Sequence, residues 1–205
     1  MKIISWNLLR LVGASALDVA RLIARERPDL VLMQEATSDI DALTGLVGGH
    51  YARTPLPDRI HGLAVWSTTA IAPRIVTLPP GTLIRRICQI VDLGDFAIAN
   101  VHLSHGQMLN RRQLRRIAQH LPPRAAVLGD FNLLGPAWLA GFRDVGPRRP
   151  THIMGDIVPI RIDRCLTSGL VCTEARVLPR DTSDHCPIMV RLETDALTAP
   201  LAAAA

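Results

Sequence analysis

The chain has 205 residues, 48% of them apolar, which is enough for one domain with a sizeable core. No apolar run approaches the roughly 18 residues of a membrane-spanning helix, and the N-terminus lacks the pattern of a signal peptide, so we expect a cytoplasmic protein without stable membrane insertion. The net charge is +5, and 22 of the 23 basic residues are arginine. Arginine binds phosphate through paired hydrogen bonds, so nucleic acid or an anionic lipid is a compatible partner, although a general compositional bias would give the same excess.

In the N-terminal half, one amphipathic helix is set among short apolar runs. Apolar residues recur at helical spacing over residues 15–27, which predicts a helix that Pro28 ends. A second, short helix is expected to open with Ser38 as its cap. The remaining apolar runs predict strands, partly joined by hairpins, over residues 3–7, 30–33, 62–67, 71–78, 83–93 and 96–103.

The C-terminal half continues this pattern. A helix is predicted over residues 107–121 and a short one over 136–142, with strands over 125–128, 160–166, 171–178 and 188–193. Many strands, few helices and hairpin connections favour two packed mixed β-sheets flanked by helices, in a single domain over residues 1–194. Residues 195–205, which end in four alanines, are low in complexity and are expected to form a flexible tail.

Small polar clusters lie at the ends of four predicted strands. They are Asn7, Gln34-Glu35, Asp130-Phe131-Asn132 and Ser183-Asp184-His185. Polar residues at strand ends are how a rigid sheet presents a site. Carboxylates, carboxamides and a histidine together indicate a hard divalent metal ion and phosphate chemistry.

These clusters, in this order and with two further motifs, resemble the endonuclease/exonuclease/phosphatase family. The further motifs are Asn100-Val101-His102-Leu103 and Ile162-Asp163, and the similarity runs from residue 3 to about residue 192. The family includes deoxyribonuclease I, apurinic endonucleases, neutral sphingomyelinases and inositol polyphosphate phosphatases. The resemblance implies a deoxyribonuclease I-like fold, which is a four-layer α/β sandwich, and hydrolysis of a phosphate ester with Mg²⁺ or Mn²⁺ as cofactor.

The resemblance also implies a metal site and a catalytic pair. Glu35 matches the principal metal ligand, and Asn7 and Asp184 match further residues of the same metal site. His185 matches the catalytic histidine, and Asp163 matches the carboxylate that orients its imidazole. Oxygen ligands of this kind suit Mg²⁺ or Mn²⁺ better than zinc.

Three further residues are placed at the substrate by the resemblance. Asp130 and Asn132 match the pair that positions the attacking water and holds a phosphate oxygen, and His102 matches a phosphate-contacting position. Whether Asp130 or His185 takes the proton of the water is left open. His105, three residues after His102, is either a substrate contact or a surface residue.

The helix predicted over residues 107–121 carries four arginines within one sector of its surface, about 140° wide, apart from its core-facing stripe. They are Arg111, Arg112, Arg115 and Arg116. We interpret them as a substrate-binding surface for phosphates, with an ordinary solvated face as the alternative. Only seven aromatic residues are present, whereas surfaces that stack single strands use several.

The four cysteines form no Cys-x-x-Cys pair, so a structural zinc site is not expected. Buried free thiols are the simplest interpretation of Cys88, Cys165, Cys172 and Cys186. Cys165 and Cys172 could face each other across a hairpin, so one disulfide stays open.

The expected function is therefore that of a Mg²⁺-dependent phosphodiester hydrolase, a nuclease acting on DNA as a monomer. The alternative is a sphingomyelinase-like lipid-headgroup phosphodiesterase or an inositol-phosphate-type phosphomonoesterase. Sphingomyelinase-like members share the Asn-x-His-Leu pattern at residues 100–103. No membrane-inserting hydrophobic loop is visible, which weakens the lipid version.

Overall fold

The computed structural model describes residues 1–81 and 84–194, so the predicted tail lies outside the described residues. Three α-helices and a 3₁₀ helix at Ser38–Ala42 accompany fourteen strands in this part of the chain. The helices are α1 (Ala16–Glu26), α2 (Leu43–Val47) and α3 (Gln107–Ala118). The strands are β1 (Lys2–Asn7), β2 (Leu30–Ala36), β3 (His50–Pro55), β4 (Gly62–Ser67), β5 (Arg74–Thr77), β6 (Ile87–Asp92), β7 (Ala97–His102), β8 (Ala125–Asp130), β9 (Arg143–Asp144), β10 (His152–Met154), β11 (Val158–Ile160), β12 (Asp163–Ser168), β13 (Leu170–Val177) and β14 (Ile188–Thr194).

The strands form two six-stranded mixed sheets and one separate hairpin. The first sheet has the order β13-β14-β1-β2-β4-β3, and only β1 and β2 in it are parallel. The second has the order β5-β6-β7-β8-β12-β9, and only β7 and β8 in it are parallel. Strands β10 and β11 form a separate hairpin, and a single antiparallel bridge from His152 to His185 joins β10 to the segment before β14. Each sheet thus has a central parallel pair, and β1 and β8 both end in a polar residue of the predicted site.

The sheets and helices stack in four layers, which confirms the predicted sandwich. Between the sheets lie apolar side chains from both, such as Ile3 and Ile98. The next residue on β1, Ile4, packs instead with α1, because successive side chains of a strand point to opposite faces. On the far side, Leu114 and Ile117 of α3 pack on the second sheet. Because both faces of the central strands are covered, their sequences are continuously apolar.

Asn100 of β7 joins the two sheets by hydrogen bonds through their apolar interior. Its Nδ2 donates to the carbonyl oxygens of Met33 (3.2 Å) and Ala64 (3.0 Å), which belong to the first sheet. Its Oδ1 accepts from Gln34 Nε2 at 2.8 Å. Since buried polar groups need partners, these bonds favour one alignment of the sheets.

Helix α1 follows the prediction to within one residue at each end. Ser15 and Asp18 form a capping box, in which Asp18 N donates to Ser15 Oγ (3.3 Å) and Ser15 N donates to Asp18 Oδ2 (2.9 Å). Arg27 ends the helix in the left-handed conformation. For the 3₁₀ helix at Ser38–Ala42, the predicted cap was off by one residue, because Thr37 and not Ser38 is the N-cap. The side chain of Thr37 makes no capping hydrogen bond.

A further expectation from the sequence was wrong. Residues 136–142 form an irregular segment with a turn at residues 140–141 instead of a helix, because Gly141 adopts a positive φ of 78° and leaves too few residues before it for a stable helix. The disulfide left open above is absent, since Cys165 and Cys172 are free and lie on strands of different sheets. Among the described residues, no helix is both long and apolar enough to cross a lipid bilayer.

Candidate active site

The site is built around an imidazole–carboxylate pair. His185 precedes β14, Asp163 begins β12, and His185 Nδ1 lies 2.8 Å from Asp163 Oδ2. Both side chains are buried. Burial opposes the charge of His185, but the neighbouring carboxylates of Asp163, Asp130 and Asp184 outweigh it and raise the pKa of the imidazole to about 9. The bond to Asp163 leaves His185 Nε2 as the nitrogen that faces the rest of the site.

Local hydrogen bonds fix the backbone of His185. Ser183 Oγ donates to the Asn7 carbonyl at 2.7 Å and accepts from His185 N at 3.1 Å. Trp6 Nε1 donates to the His185 carbonyl at 3.0 Å. The segment before β14 is therefore held against the end of β1, which explains why a serine accompanies the Asp-His pair.

Asn7 and Asp130 meet where the two sheets come together. Asn7 Nδ2 donates to Asp130 Oδ2 at 3.0 Å and lies 3.5 Å from His185 Nε2. The other oxygen of Asp130 accepts from Asn132 N at 2.8 Å. Burial, opposed by the charge of His185, raises the pKa of Asp130 above its usual range. Asn7 thus ties the first sheet to a carboxylate of the second.

A glycine lets β8 carry Asp130 close to β7. Gly129 has a φ of 144°, and a Cβ there would lie 1.9 Å from the Val101 carbonyl oxygen. The close approach brings His102 Nε2 to 3.4 Å from Asp130 Oδ2. Burial, with nearby positive charges, lowers the pKa of His102 well below its usual value, which favours the neutral imidazole. Asn132 Nδ2 donates to the Leu103 carbonyl at 3.1 Å, which fixes the loop after β8.

Glu35 is presented by a bulge in β2. The register with β4 shifts between Gln34 and Ala36, and Glu35 has a φ of 58°. Its carboxylate accepts from Arg10 N at 3.2 Å, and Arg10 Nη1 lies 3.4 Å away. Strained backbone of this kind is retained at functional sites. The guanidinium group of Arg10 therefore lies beside the Glu35 carboxylate.

The proposed metal ligands offer a donor set that fits Mg²⁺ or Mn²⁺. Glu35 and Asp184 provide carboxylates, and Asp184 keeps 31% of its side chain exposed. Among the described residues, Asn7 Oδ1 accepts a hydrogen bond from Leu9 N alone, at 3.2 Å, so it keeps a lone pair. All of these donors are oxygens, which hard divalent cations prefer.

Asp184 also belongs to a cluster with two histidines, of which His152 was not predicted. His152 Nδ1 lies 3.7 Å from Asp184 Oδ2, and the rings of His152 and His185 are 4.3 Å apart. The ligand atoms of the three residues lie within 4.8 Å of one another, so they could hold a metal ion. His152 lies on the short strand β10 and is bridged to His185, but no polar cluster or apolar run accompanies it in the sequence, so no strand-end pattern pointed to it.

Two buried cationic side chains were also missed. Arg86 is 5% exposed, and its Nε and Nη1 have no hydrogen-bond partner among residues 1–81 and 84–194. His61 is equally buried, and its Nε2 has no partner in the same part of the chain. Burial lowers the pKa of Arg86, although the charges of Asp130 and Glu35 act in the opposite direction. Unpaired N–H groups at such a place suit an anionic oxygen.

The predicted arginine surface is divided. Arg111 and Arg115 line a groove beside Trp138, whereas Arg116 Nη1 contacts Gln119 Oε1 at 3.5 Å. Arg112 is exposed and does not line that groove. His105 is exposed in the turn before α3, and its charge helps to lower the pKa of His102. What these residues bind stays a prediction.

The comparison with protein families matches the model described as the endonuclease/exonuclease/phosphatase family to residues 4–185. A comparison with curated proteins finds no match. An endonuclease/exonuclease/phosphatase from Bacteroides vulgatus is similar in structure, with a TM-score of 0.78 at 16% identity, covering 95% of this chain and 98% of that one.

Two further solved structures share the fold. One is a mannosyl-6-phosphatase from Bacteroides thetaiotaomicron, with a TM-score of 0.74 at 16% identity, covering 94% of this chain and 99% of that one. The other is a 3′ phosphatase from Neisseria bound to a product DNA hairpin, with a TM-score of 0.72 at 19% identity and the same coverage. Since the family model spans most of the chain and the fold agrees with it, the chain belongs to the endonuclease/exonuclease/phosphatase family and is a phosphoester hydrolase.

Proposed function

We propose that the chain is a divalent-metal-dependent phosphodiester hydrolase that acts on nucleic acid, with DNA as the substrate. The observation that carries the proposal is the buried chain of contacts from Asp163 through His185 to Asn7 and Asp130. It combines an oriented imidazole with a carboxylate of raised pKa at the edge where both sheets end. That is the arrangement expected for proton transfer during attack on a phosphate ester.

The roles divide between the two halves of this chain of contacts. His185, oriented through Nδ1, presents Nε2 to a phosphoryl oxygen and stabilises the charge that develops there. Asp130 holds the attacking water and takes its proton, because burial raises the pKa of this carboxylate above its usual range. Asn7 keeps the Asp130 oxygen at its position.

Two further sets of residues act on the substrate phosphate. Glu35, Asn7 and Asp184 would hold Mg²⁺ or Mn²⁺, and such an ion supplies charge neutralisation on the phosphate. Arg86 and His61 have buried nitrogens without partners in the part of the chain that the structure describes, and they provide donors for the remaining phosphoryl oxygens.

DNA is preferred as substrate for two reasons. The chain has a net charge of +5, and a structural neighbour is a 3′ phosphatase solved with a product DNA hairpin. We place the enzyme in the cytoplasm as a monomer. Size-exclusion chromatography at two concentrations tests the monomer, and a concentration-dependent shift would contradict it.

One panel of substrates tests the proposal. Turnover is measured with Mg²⁺ or Mn²⁺ on supercoiled plasmid, linear duplex, abasic duplex, sphingomyelin, an inositol polyphosphate and a hexose 6-phosphate. His185→Ala is run alongside as the control for contaminating activity. Cleavage of DNA by the parent enzyme but not by the variant is expected, and turnover of the lipid or of the small esters alone would contradict the DNA assignment.

Metal removal gives a separate prediction. EDTA is expected to abolish turnover, and Mg²⁺ or Mn²⁺ is expected to restore it. The reason is that the proposed ligands, Glu35, Asn7 and Asp184, offer oxygen atoms, which suit these ions. Full activity in a metal-stripped sample would contradict the metal-dependent mechanism.

A phosphomonoesterase for a small ester is the second candidate. The buried Nε and Nη1 of Arg86, which have no partner among the described residues, suit a terminal phosphate, because it carries more charge than an internal diester. The mannosyl-6-phosphatase neighbour shows that this fold accommodates such a substrate. Turnover of hexose 6-phosphate without cleavage of DNA would favour this candidate.

A further inference from the structure

A groove runs along the outside of the second sheet, away from the buried site residues. It lies between α3 and residues 134–142, the irregular segment that follows β8, and it encloses about 900 Å³. Arg111, Arg115 and Gln119 line it on the helix side, and Trp138, Leu139 and Phe142 line it on the other. We call it the α3 groove.

Trp138 gives the α3 groove an exposed aromatic face. Its side chain is 65% exposed, whereas the other two tryptophans, Trp6 and Trp66, are 1% and 4% exposed. Leu139 beside it is buried in the core of the second sheet, and Phe142 packs against the same core. The tryptophan therefore stands at the surface on a rigid apolar support, although burial of its ring would be favourable.

The arginines of the α3 groove are free of acidic partners. Neither Arg111 nor Arg115 forms an ion pair with a carboxylate in the described part of the chain. In addition, Arg111 Nε is shielded from solvent and has no hydrogen-bond partner among those residues. An aromatic face with unpaired guanidinium groups next to it matches the two needs of a single nucleic-acid strand, namely stacking for bases and positive charge for phosphates.

A hydrogen bond from helix α3 links the α3 groove to the backbone of the active site. Asn110, the neighbour of Arg111, donates from Nδ2 to the Phe131 carbonyl at 2.5 Å. Phe131 lies between Asp130 and Asn132, and the segment that carries Trp138 continues from Asn132. A strand in the groove would thus lead to the edge of the site.

We propose that the α3 groove binds a single-stranded segment of the nucleic-acid substrate, with a base stacked on Trp138 and phosphates paired with Arg111 and Arg115. The inference rests on the proposed function and adds a subsite to it. Arg112 and Arg116, on the same helix but outside the groove, do not take part. The proposed subsite thus contains two of the four arginines predicted from the sequence, together with Trp138, which was not predicted.

Equilibrium binding in EDTA tests the subsite without turnover. A fluorescein-labelled oligothymidine of about ten nucleotides is titrated by anisotropy against the parent, Arg111→Gln/Arg115→Gln and the matched control Arg112→Gln/Arg116→Gln. Both variants lose two charges from the same helix. The slope of log affinity against log salt is expected to fall by about 1.4 in the first variant, at roughly 0.7 per phosphate contact of a single strand, and to stay unchanged in the control.

Stacking is tested at Trp138. Trp138→Ala is expected to weaken binding roughly 5- to 100-fold, which corresponds to one stacked base, whereas Trp138→Phe retains most of the affinity. Leu134→Ala, which changes an exposed apolar side chain of the same segment, is the control and should leave affinity unchanged. Because the other tryptophans are buried, the oligonucleotide should also quench the emission of Trp138 in the parent.

Hydrolysis of bis(p-nitrophenyl) phosphate separates this subsite from the proposed function. All of the groove variants should keep the parent rate on this small diester, because the reacting groups lie elsewhere. Equal salt slopes for the two arginine pairs, or unchanged affinity in Trp138→Ala, would overturn the subsite. Specific oligonucleotide binding without hydrolysis of any phosphate ester would instead support the subsite and contradict the catalytic proposal.

Discussion

At the scale of residues, the active site is an arrangement of short buried contacts among groups that are distant in the chain. His185 and Asn7 are 178 positions apart, and Asn7 and Asp130 are 123 apart. Strand-end patterns and the family resemblance identified these residues, because each follows or precedes an apolar run. Arg86 and His61 could not be found in this way, since a single cationic residue next to a strand carries no pattern, and only the fold buries it.

The imidazole–carboxylate pair gives a prediction at this scale. His185→Ala is expected to lower kcat by roughly 10² or more, the usual contribution of a positioned acid–base group. Asp163→Asn should also lower kcat while leaving the fold intact, because the amide cannot accept the Nδ1–H in the same way. Steady-state kinetics with circular dichroism of each variant check this.

His50→Ala is a suitable control for that pair, since His50 is exposed at the start of β3. It should retain the parent kcat. Near-normal kcat in a folded His185→Ala variant would contradict the assignment of the catalytic histidine.

At the scale of elements, predictability followed the strength of the local pattern. Helix α1 has a capping box and a regular apolar stripe, and its ends were predicted to within one residue. Strand β3 was missed because its side chains are mostly half-buried and show no alternation. The short strands β10 and β11 were missed for the same reason, and with them His152.

Gly129 links a local conformation to the position of a reacting group. Gly129→Ala is expected to lower the free energy of unfolding by about 2–4 kcal/mol, because the new Cβ meets the Val101 carbonyl and the φ of 144° disfavours any side chain. Gly94→Ala is the matched control: it has a φ of 84° but no atom within 4 Å of the new Cβ, so it should cost only about 1 kcal/mol.

Urea denaturation of both glycine variants measures the difference. Gly129→Ala should also lower activity, because the added Cβ pushes β7 and β8 apart and so increases the distance between His102 and Asp130. Equal destabilisation by the two substitutions would show that contact with Val101 contributes nothing.

At the scale of the whole molecule, a cluster of ion pairs around Asp144 holds the edge strand β9 of the second sheet. Arg161 Nη2 lies 2.7 Å and Arg164 Nη1 3.0 Å from the Asp144 carboxylate. Burial alone would raise the pKa of Asp144, but the two guanidinium groups outweigh it and hold that pKa below its usual range. Since the folded pKa is lowered, the carboxylate stabilises the fold above its unfolded pKa, and this contribution is lost as pH falls through the folded value.

Asp144→Asn is therefore expected to cost about 3 kcal/mol at neutral pH, and the difference from the parent should narrow below about pH 4. Urea denaturation at both pH values measures this. Asp156→Asn is the control, because Asp156 pairs with Arg180 at the surface with 77% of its side chain exposed, and it should change stability by less than about 1 kcal/mol. A pH-independent cost at Asp144 would contradict the electrostatic explanation.

The hydrogen bonds of Asn100 across the interior have a consequence for the reaction centre. Asn7 and Glu35 belong to one sheet, Asp130 and Asp163 to the other, so a slip between the sheets would separate the two halves of the reaction centre. Apolar contacts discriminate weakly between neighbouring alignments, whereas the amide of Asn100 finds its three partners in one alignment only. Together with the bond from Asn7 to Asp130, this amide therefore holds the two halves of the reaction centre in register.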